Sequence, residues 1–288
     1  MKHKLHYLIS IFFALFLMAC QAERTTVEVA ASSSQISLSN TLVSDRTNTA
    51  SEIINENRCQ NPTAQYLQNC LAWEEQILAV TVRIEIHRWL SEEGVRGEYI
   101  DGSGGHATVI DGRYLITHNH FSIPLESIEG TSGERLRISV YKANGELILD
   151  SMRPTAFTIV AQDQETVVLD FGEYVDEGLF DMLDIPSAEF QSWESLALSP
   201  GAEVAQINWD NQTAFVEWVN IRSLVTAEGT PRIELDNGVI KGASGGGIFW
   251  NGVHIGNNWT STTVKAANDG VVLDEFSTAA LNSKWVGN

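Results

Sequence analysis

The chain has little cysteine and little positive charge, and it carries no long helical period. Three cysteines in 288 residues are too few for a disulfide-dense scaffold or a four-cysteine zinc site. Its 18 basic residues are outnumbered by 37 acidic ones, giving a formal charge of −19. A protein that grips phosphate backbones needs a surplus of Lys and Arg, so no nucleic-acid partner is expected. The acidity otherwise serves solubility. No internal repeat is visible. What is present is globular: 43 % apolar and 19 % charged residues, enough to bury a core in at most two compact domains.

Lys2 and Lys4 precede an apolar run from Leu8 to Ala19. A basic head followed by a stretch this short is a secretory signal and falls short of a comfortable membrane span. Leu17-Met18-Ala19-Cys20 resembles the bacterial lipobox, in which cleavage before the cysteine leaves it carrying lipid. Residues 1–19 then form the signal peptide, Cys20 is the lipid attachment, and the mature chain is held on a membrane. Residues 20–57 are rich in Ser, Thr, Ala and Asn with no sustained apolar period, as in a flexible tether. In an exported chain Cys59 and Cys70 are expected to form a local disulfide. Asn61-Pro62 reads as a helix cap with proline in the first turn. It opens a short helical segment over residues 58–78, with Leu67, Leu71 and Leu78 on one face.

From residue 79 onward the chain is written in strands. Val80 to Ile86 alternates apolar and polar residues at period two, as a half-buried strand does. Short runs of similar kind recur around Val109, Leu115, Ile138, Ile148, Ile159, Val168, Val204 and Val216. Asp111-Gly112, Asn144-Gly145 and Asn251-Gly252 are hairpin turns. Many short strands with regular turns indicate an all-β protein, an antiparallel sandwich or barrel. An acidic break at about Val175–Gln191, containing Pro186, divides the strands into two groups.

Each group carries residues suited to chemistry. Lys241-Gly242-Ala243-Ser244-Gly245-Gly246-Gly247 frames a serine with glycines. A serine hydroxyl is a weak nucleophile that needs a base beside it and donors for the oxyanion it creates. Glycines allow a tight turn that aims backbone N–H groups at one point. In the first group, the strand Tyr114–Thr117 runs into His118-Asn119-His120. Two imidazoles also suit a metal, but no third ligand stands at matching spacing, so neither metal nor organic cofactor is expected.

Taken together, Gly102 to Ile110 with Tyr114 to Phe121, Ile233 to Gly246, and Asn251 to Asn258 resemble three segments of the trypsin-like serine peptidases. The closest flavour is that of bacterial HtrA-like and glutamyl-endopeptidase-like members. The likeness implies two packed antiparallel β-barrels, a chymotrypsin-like fold, at about residues 79–175 and 192–276 of a domain spanning 79–288. It implies that His120 is the base, that Ser244 is the nucleophile, and that Gly242 and Ser244 supply the oxyanion-hole N–H groups. The family's acid precedes a short apolar strand, which places Glu165 in that role before Thr166 to Leu169, with Asp163 as the alternative. Asp170, of opposite parity, should face away. Asn257 and Asn258 fall on the family's substrate-binding strand. Gly238, six residues before Ser244, falls on the floor of its primary pocket. A glycine there argues against a Lys or Arg preference, with Asp236 as the nearby carboxylate that reopens the question.

The expectation is therefore a lipid-anchored serine endopeptidase of the bacterial cell envelope, periplasmic or on the cell surface, acting on protein or peptide substrates. The alternative is a catalytically inactive binding module on the same fold. No oligomeric state follows from the sequence.

Overall fold

The structure is a computed structural model that describes residues 58–92, 95–119, 134–152, 157–162, 165–170, 178–227, 230–266 and 271–282, with the backbone of Arg24–Val29. Cys20, His120 and Asp163 lie outside the described residues.

Two sheets account for nearly all the regular structure. The first contains β2 (Thr81–Glu92), β3 (Val95–Ile110), β4 (Tyr114–His118), β5 (Glu134–Lys142), β6 (Leu147–Met152), β7 (Thr158–Gln162) and β8 (Thr166–Asp170). Their order across the sheet is β6-β5-β2-β3-β4-β8-β7, antiparallel throughout. It curls around a core of Val82, Ile84, Ile86, Val109, Leu115, Ile138, Val140, Val167 and Leu169.

The second sheet contains β9 (Glu203–Trp209), β10 (Ala214–Ala227), β11 (Thr230–Leu235), β12 (Gly247–Trp250), β13 (Val253–Ala266) and β14 (Val272–Leu281). Here β13 pairs with both β12 and β14, so the six strands close into a barrel. Val204, Val219, Ile221, Ile233, Leu235, Ile248 and Ile255 fill it. The all-β, two-unit architecture expected from the sequence is thus the one observed. The first unit curls without ladder closure among the described residues, and the second closes.

A third core lies where the units meet. Ile110, Ile116 and Val168 from the first sheet pack there with Ala205, Ile207, Trp209 and Phe249 of the barrel. β8 is buried along Thr166–Leu169 on both faces, which explains why its apolar run is continuous rather than alternating. The turns obey their sequences. Asp111 (φ 52°) with Gly112 (φ 61°), and Asn251 (φ 51°) with Gly252 (φ 81°), are left-handed pairs, as two-residue hairpins require.

Two features depart from expectation. The helix α1 is Leu67–Val80 with its cap at Tyr66, so Asn61 does not cap it. Leu67 and Leu71 are exposed. The inward face is instead Cys70, Ile77 and Val80, flanked by Trp73 and Leu78 against the shared core. Cys70, Trp73, Ile77 and Val80 follow the i, i+3, i+7, i+10 spacing of one helix stripe, and counting leucines alone hides it. The Cys59–Cys70 disulfide is present and fixes which face turns inward. The second departure is β1 (Arg24–Val29), a strand inside the segment expected to be tether. It adds in parallel to β13, from Arg24 opposite Ser261 to Val29 opposite Ala266.

Candidate active site

The serine segment lies against the histidine segment. Ser244 is buried, and its carbonyl accepts the His106 N–H of β3 at 2.8 Å. The next residue, Gly245, has φ +75°, and a Cβ there would strike the Thr117 hydroxyl and the His106 carbonyl and sit 3.2 Å from the His118 nitrogen. Only glycine permits both that backbone and that approach. Thr117 is itself held, its Oγ1 donating to the His106 carbonyl at 2.5 Å. The loop is also tied to the barrel. Gly245 N–H donates to Asn258 O at 3.1 Å, and Asn258 N–H donates to Gly246 O at 2.8 Å.

The N–H groups on either side of Ala243 differ from its own. Ala243 N–H turns back onto Ile240 O at 3.0 Å, whereas neither Gly242 N–H nor Ser244 N–H has a backbone acceptor among the described residues. Gly242 has φ +102°, and a side chain there would meet the Trp209 ring at 2.9 Å. The Ser244 Oγ, likewise buried, has no hydrogen-bond partner among the described residues.

A histidine with no marked role in the sequence holds this loop in place. The fully buried His106 ring stands 2.8 Å from the Gly242 carbonyl through Nδ1. A carbonyl only accepts, so Nδ1 carries the proton and donates. Burial, then the nearby Arg83 charge, push its pKa down to about 3, and the ring is neutral. Arg83 stacks on Trp209 at 4.2 Å and bonds Glu85 at 2.9 Å. The Glu85 carboxyl is lowered to about 2, chiefly by His87 and then by Arg83, against the opposing effect of burial.

Glu165 immediately precedes β8. β8 pairs with β4 so that Thr166 faces His118, and the Asn119 N–H donates to the Glu165 carbonyl at 3.0 Å. Its side chain is 1 % exposed and forms an ion pair with Arg232 of β11, a contact with no sequence signal. Arg232 also lies over Trp259, and His118 stacks on the same indole at 4.0 Å. Asp170 stands at the other end of β8, opposite Tyr114, gripped twice by Arg113 at 2.6 and 2.7 Å. Its expected orientation away from the histidine segment agrees with that pairing.

Asn257 and Asn258, on the strand expected to bind substrate, turn their side chains inward. Both are buried. Asn258 Nδ2 donates to Ile207 O at 2.7 Å, and its Oδ1 accepts from Gln206 at 2.8 Å. Asn257 Oδ1 faces His254 Nε2 at 3.3 Å. These amides tie the loop to the barrel floor, because strand residues this deep must satisfy their polar groups internally. The next residues, Trp259 and Thr260, are partly exposed. Asp236 is also accounted for: it is exposed and bonds the backbone and side chain of Asn220, each at 2.8 Å. Among the described residues no three His, Cys, Asp or Glu side chains gather as a metal-ligand set.

No protein-family model and no curated protein matches the chain. Solved structures do resemble it. The Rv3671c protease of M. tuberculosis, in an inactive form, superposes with a TM-score of 0.46 at 15 % identity, over 79 % of this chain and 94 % of that one. Deg5 gives 0.47 at 17 % identity, over 75 % and 90 %. The HtrA-type protease AlgW with a decapeptide gives 0.46 at 14 % identity, over 73 % and 62 %.

Proposed function

We propose that this chain is a serine endopeptidase. The observation that carries the reading is the docking of the Ser244 loop onto the histidine segment, through the His106 N–H and through Gly245 packed on Thr117. His120 follows His118 by two residues and acts as the base. It takes the proton from Ser244 Oγ as the oxygen attacks a peptide carbonyl, then gives it to the leaving amine. Water reverses the sequence to release the acyl group. The N–H groups of Gly242 and Ser244 receive the oxyanion, the largest single contribution to such catalysis. Glu165 orients the imidazole, and His106 keeps the Gly242 peptide in the donor arrangement. Cys20 carries lipid and holds the enzyme on the bacterial cell envelope, where its substrates are proteins or peptides.

A second reading, a binding module without turnover, has one observation in its favour: Arg232 already engages the Glu165 carboxylate. One experiment separates them. A fluorophosphonate should label the protein at Ser244, and Ser244→Ala should abolish both labelling and peptide hydrolysis. Separate His120→Ala and Ser244→Ala losses should not add, because the pair works as a unit. Undiminished labelling in His120→Ala would sink the peptidase.

A further inference from the structure

A positive charge is sealed behind the serine loop. Arg83 stands directly opposite His106 in the β2–β3 pairing, so the two side chains share one face of the first sheet. Both lie against Trp209 of the barrel, the guanidinium 4.2 Å from the ring centre and the imidazole 5.1 Å from it. Gly104 makes room for this, since a Cβ there would lie 2.5 Å from Arg83 Nη2 and 3.0 Å from Cζ. The side chain is 14 % exposed, and Glu85 engages its Nε at 2.9 Å. A second corner, Nη1, is buried and has no hydrogen-bond partner among the described residues. It stands 3.7 Å from where a Cβ on Gly242 would be.

A buried donor without an acceptor destabilises the resting fold, and such a cost is recovered where charge develops during a reaction. Two carbonyls of the loop face this cluster. His106 donates from its main-chain N–H to the Ser244 carbonyl and from Nδ1–H to the Gly242 carbonyl, each at 2.8 Å. Both oxygens are therefore turned back, toward His106 and the cation across the strand pair from it. A glycine tolerates either orientation of its carbonyl, and Gly242 already stands at φ +102°, so something must choose. A carbonyl dipole turns its negative end to a nearby cation, far more strongly in a dry setting than in water. Lys241, the cation next to Gly242 in sequence, is exposed and screened by solvent.

Resting on the peptidase reading, we propose that Arg83 is a positioning residue for catalysis: its sealed charge holds the Gly242 carbonyl turned back, so that the loop meets the oxyanion with N–H groups alone. Arg83 touches no substrate atom. Its effect falls in the transition state, when a forward-facing carbonyl would repel the new negative charge, and it leaves substrate binding unchanged.

The full-length chain tests this with two variants that both keep an unbranched stem over Trp209. Arg83→Met removes the charge and Arg83→Lys keeps it, so the difference between them separates charge from packing. Arg83→Met should lower kcat for peptide hydrolysis and the rate of fluorophosphonate labelling at Ser244 by at least about tenfold, less than the ~10²–10³ of a lost oxyanion donor, with KM within about threefold. Arg83→Lys should recover most of that loss. Arg83→Gln takes the place of Arg83→Met should the latter lower the urea midpoint. His106→Leu should lose activity as well, His106→Asn, which keeps a donor near Nδ1, should lose less, and Arg83→Met with His106→Leu should be no worse than the poorer single variant, because both act on one carbonyl. Equal losses in Arg83→Met and Arg83→Lys, losses confined to KM, or losses that add in the double variant overturn the proposal. The carbon-13 shift of the Gly242 carbonyl reads the same effect without turnover. It should move in Arg83→Met and return in Arg83→Lys, and a shift that ignores Arg83→Met overturns the proposal even where rates fall. A wild-type chain that neither labels nor hydrolyses, while that shift still follows the charge of residue 83, keeps the hold on the carbonyl and removes the peptidase reading instead.

Discussion

Three histidines are fully buried in the described part of the molecule: His106, His118 and His254. Two of them make stability depend on pH. His254 Nδ1 faces the Asn282 amide nitrogen at 3.0 Å, so it accepts, and Nε2–H donates to Asn257. Burial lowers its pKa to about 4, against a smaller opposing effect from Asn257. His106, near 3, has the same sign. In the unfolded chain both rings titrate near about 6.5. Below that pH the unfolded state binds protons that the folded state refuses, so stability is complete above about 6.5 and is lost as pH falls toward the folded values. A urea midpoint that is flat from pH 7 to 8 and drops between 6.5 and 4 is expected. The His254 share is on the order of 3 kcal/mol, and His254→Gln should shallow the slope. An unchanged slope in that variant would show that His254 is protonated in the folded state. Ser244 was legible in the sequence because glycines frame it. His106 was not, because nothing local marks a ring whose partner is a carbonyl 136 residues away.

The same contrast holds for whole elements. β2 and β5 were legible because their apolar residues alternate against one core. β14 was not, since Asp274, Glu275 and Ser277 break its apolar pattern. The helix α1 was legible in existence but not in orientation. Its attachment explains why: Cys59 and Gln60 N–H groups bond the Glu203 carboxylate at 2.5 and 3.1 Å, and Trp218 Nε1 donates to Glu74 at 2.7 Å. These contacts span more than 140 residues of sequence and no local pattern announces them. The disulfide joins cysteines 11 residues apart. Removing the crosslink by Cys59→Ser with Cys70→Ser should cost about 3 kcal/mol through the added freedom of the unfolded loop. The measurement is the shift in urea midpoint, with hydrogen exchange following α1. A shift near zero would mean that the Glu203 and Trp218 contacts alone seat the helix.

At the scale of the whole molecule, the two sheets share a core. Ile77 and Val80 of α1, Ile116 and Val168 of the first sheet, and Ile207 and Phe249 of the barrel pack together. The histidine segment and the serine loop therefore sit on walls braced by the same side chains, which keeps their separation steady. Anchoring belongs to this scale as well. With lipid on Cys20, the wild-type protein should sediment with membranes and Cys20→Ala should appear in the soluble fraction. A wild-type protein that fractionates freely, with no lipid mass at its N-terminus, would end that expectation.

With lipid on Cys20, the strand β1 would set how far the folded body stands from the membrane. Arg24 is four residues from Cys20 and pairs with Ser261, on the strand that leads away from the nucleophile loop. Four extended residues reach roughly 14 Å, whereas a free tether through residue 57 would let the body wander several times that distance. While β1 stays zipped to β13, an anchor at Cys20 would hold the folded body close above the lipid headgroups. Its reach would then be a thin layer next to the bilayer, which membrane-embedded or membrane-tethered chains would enter far more often than proteins diffusing in the bulk.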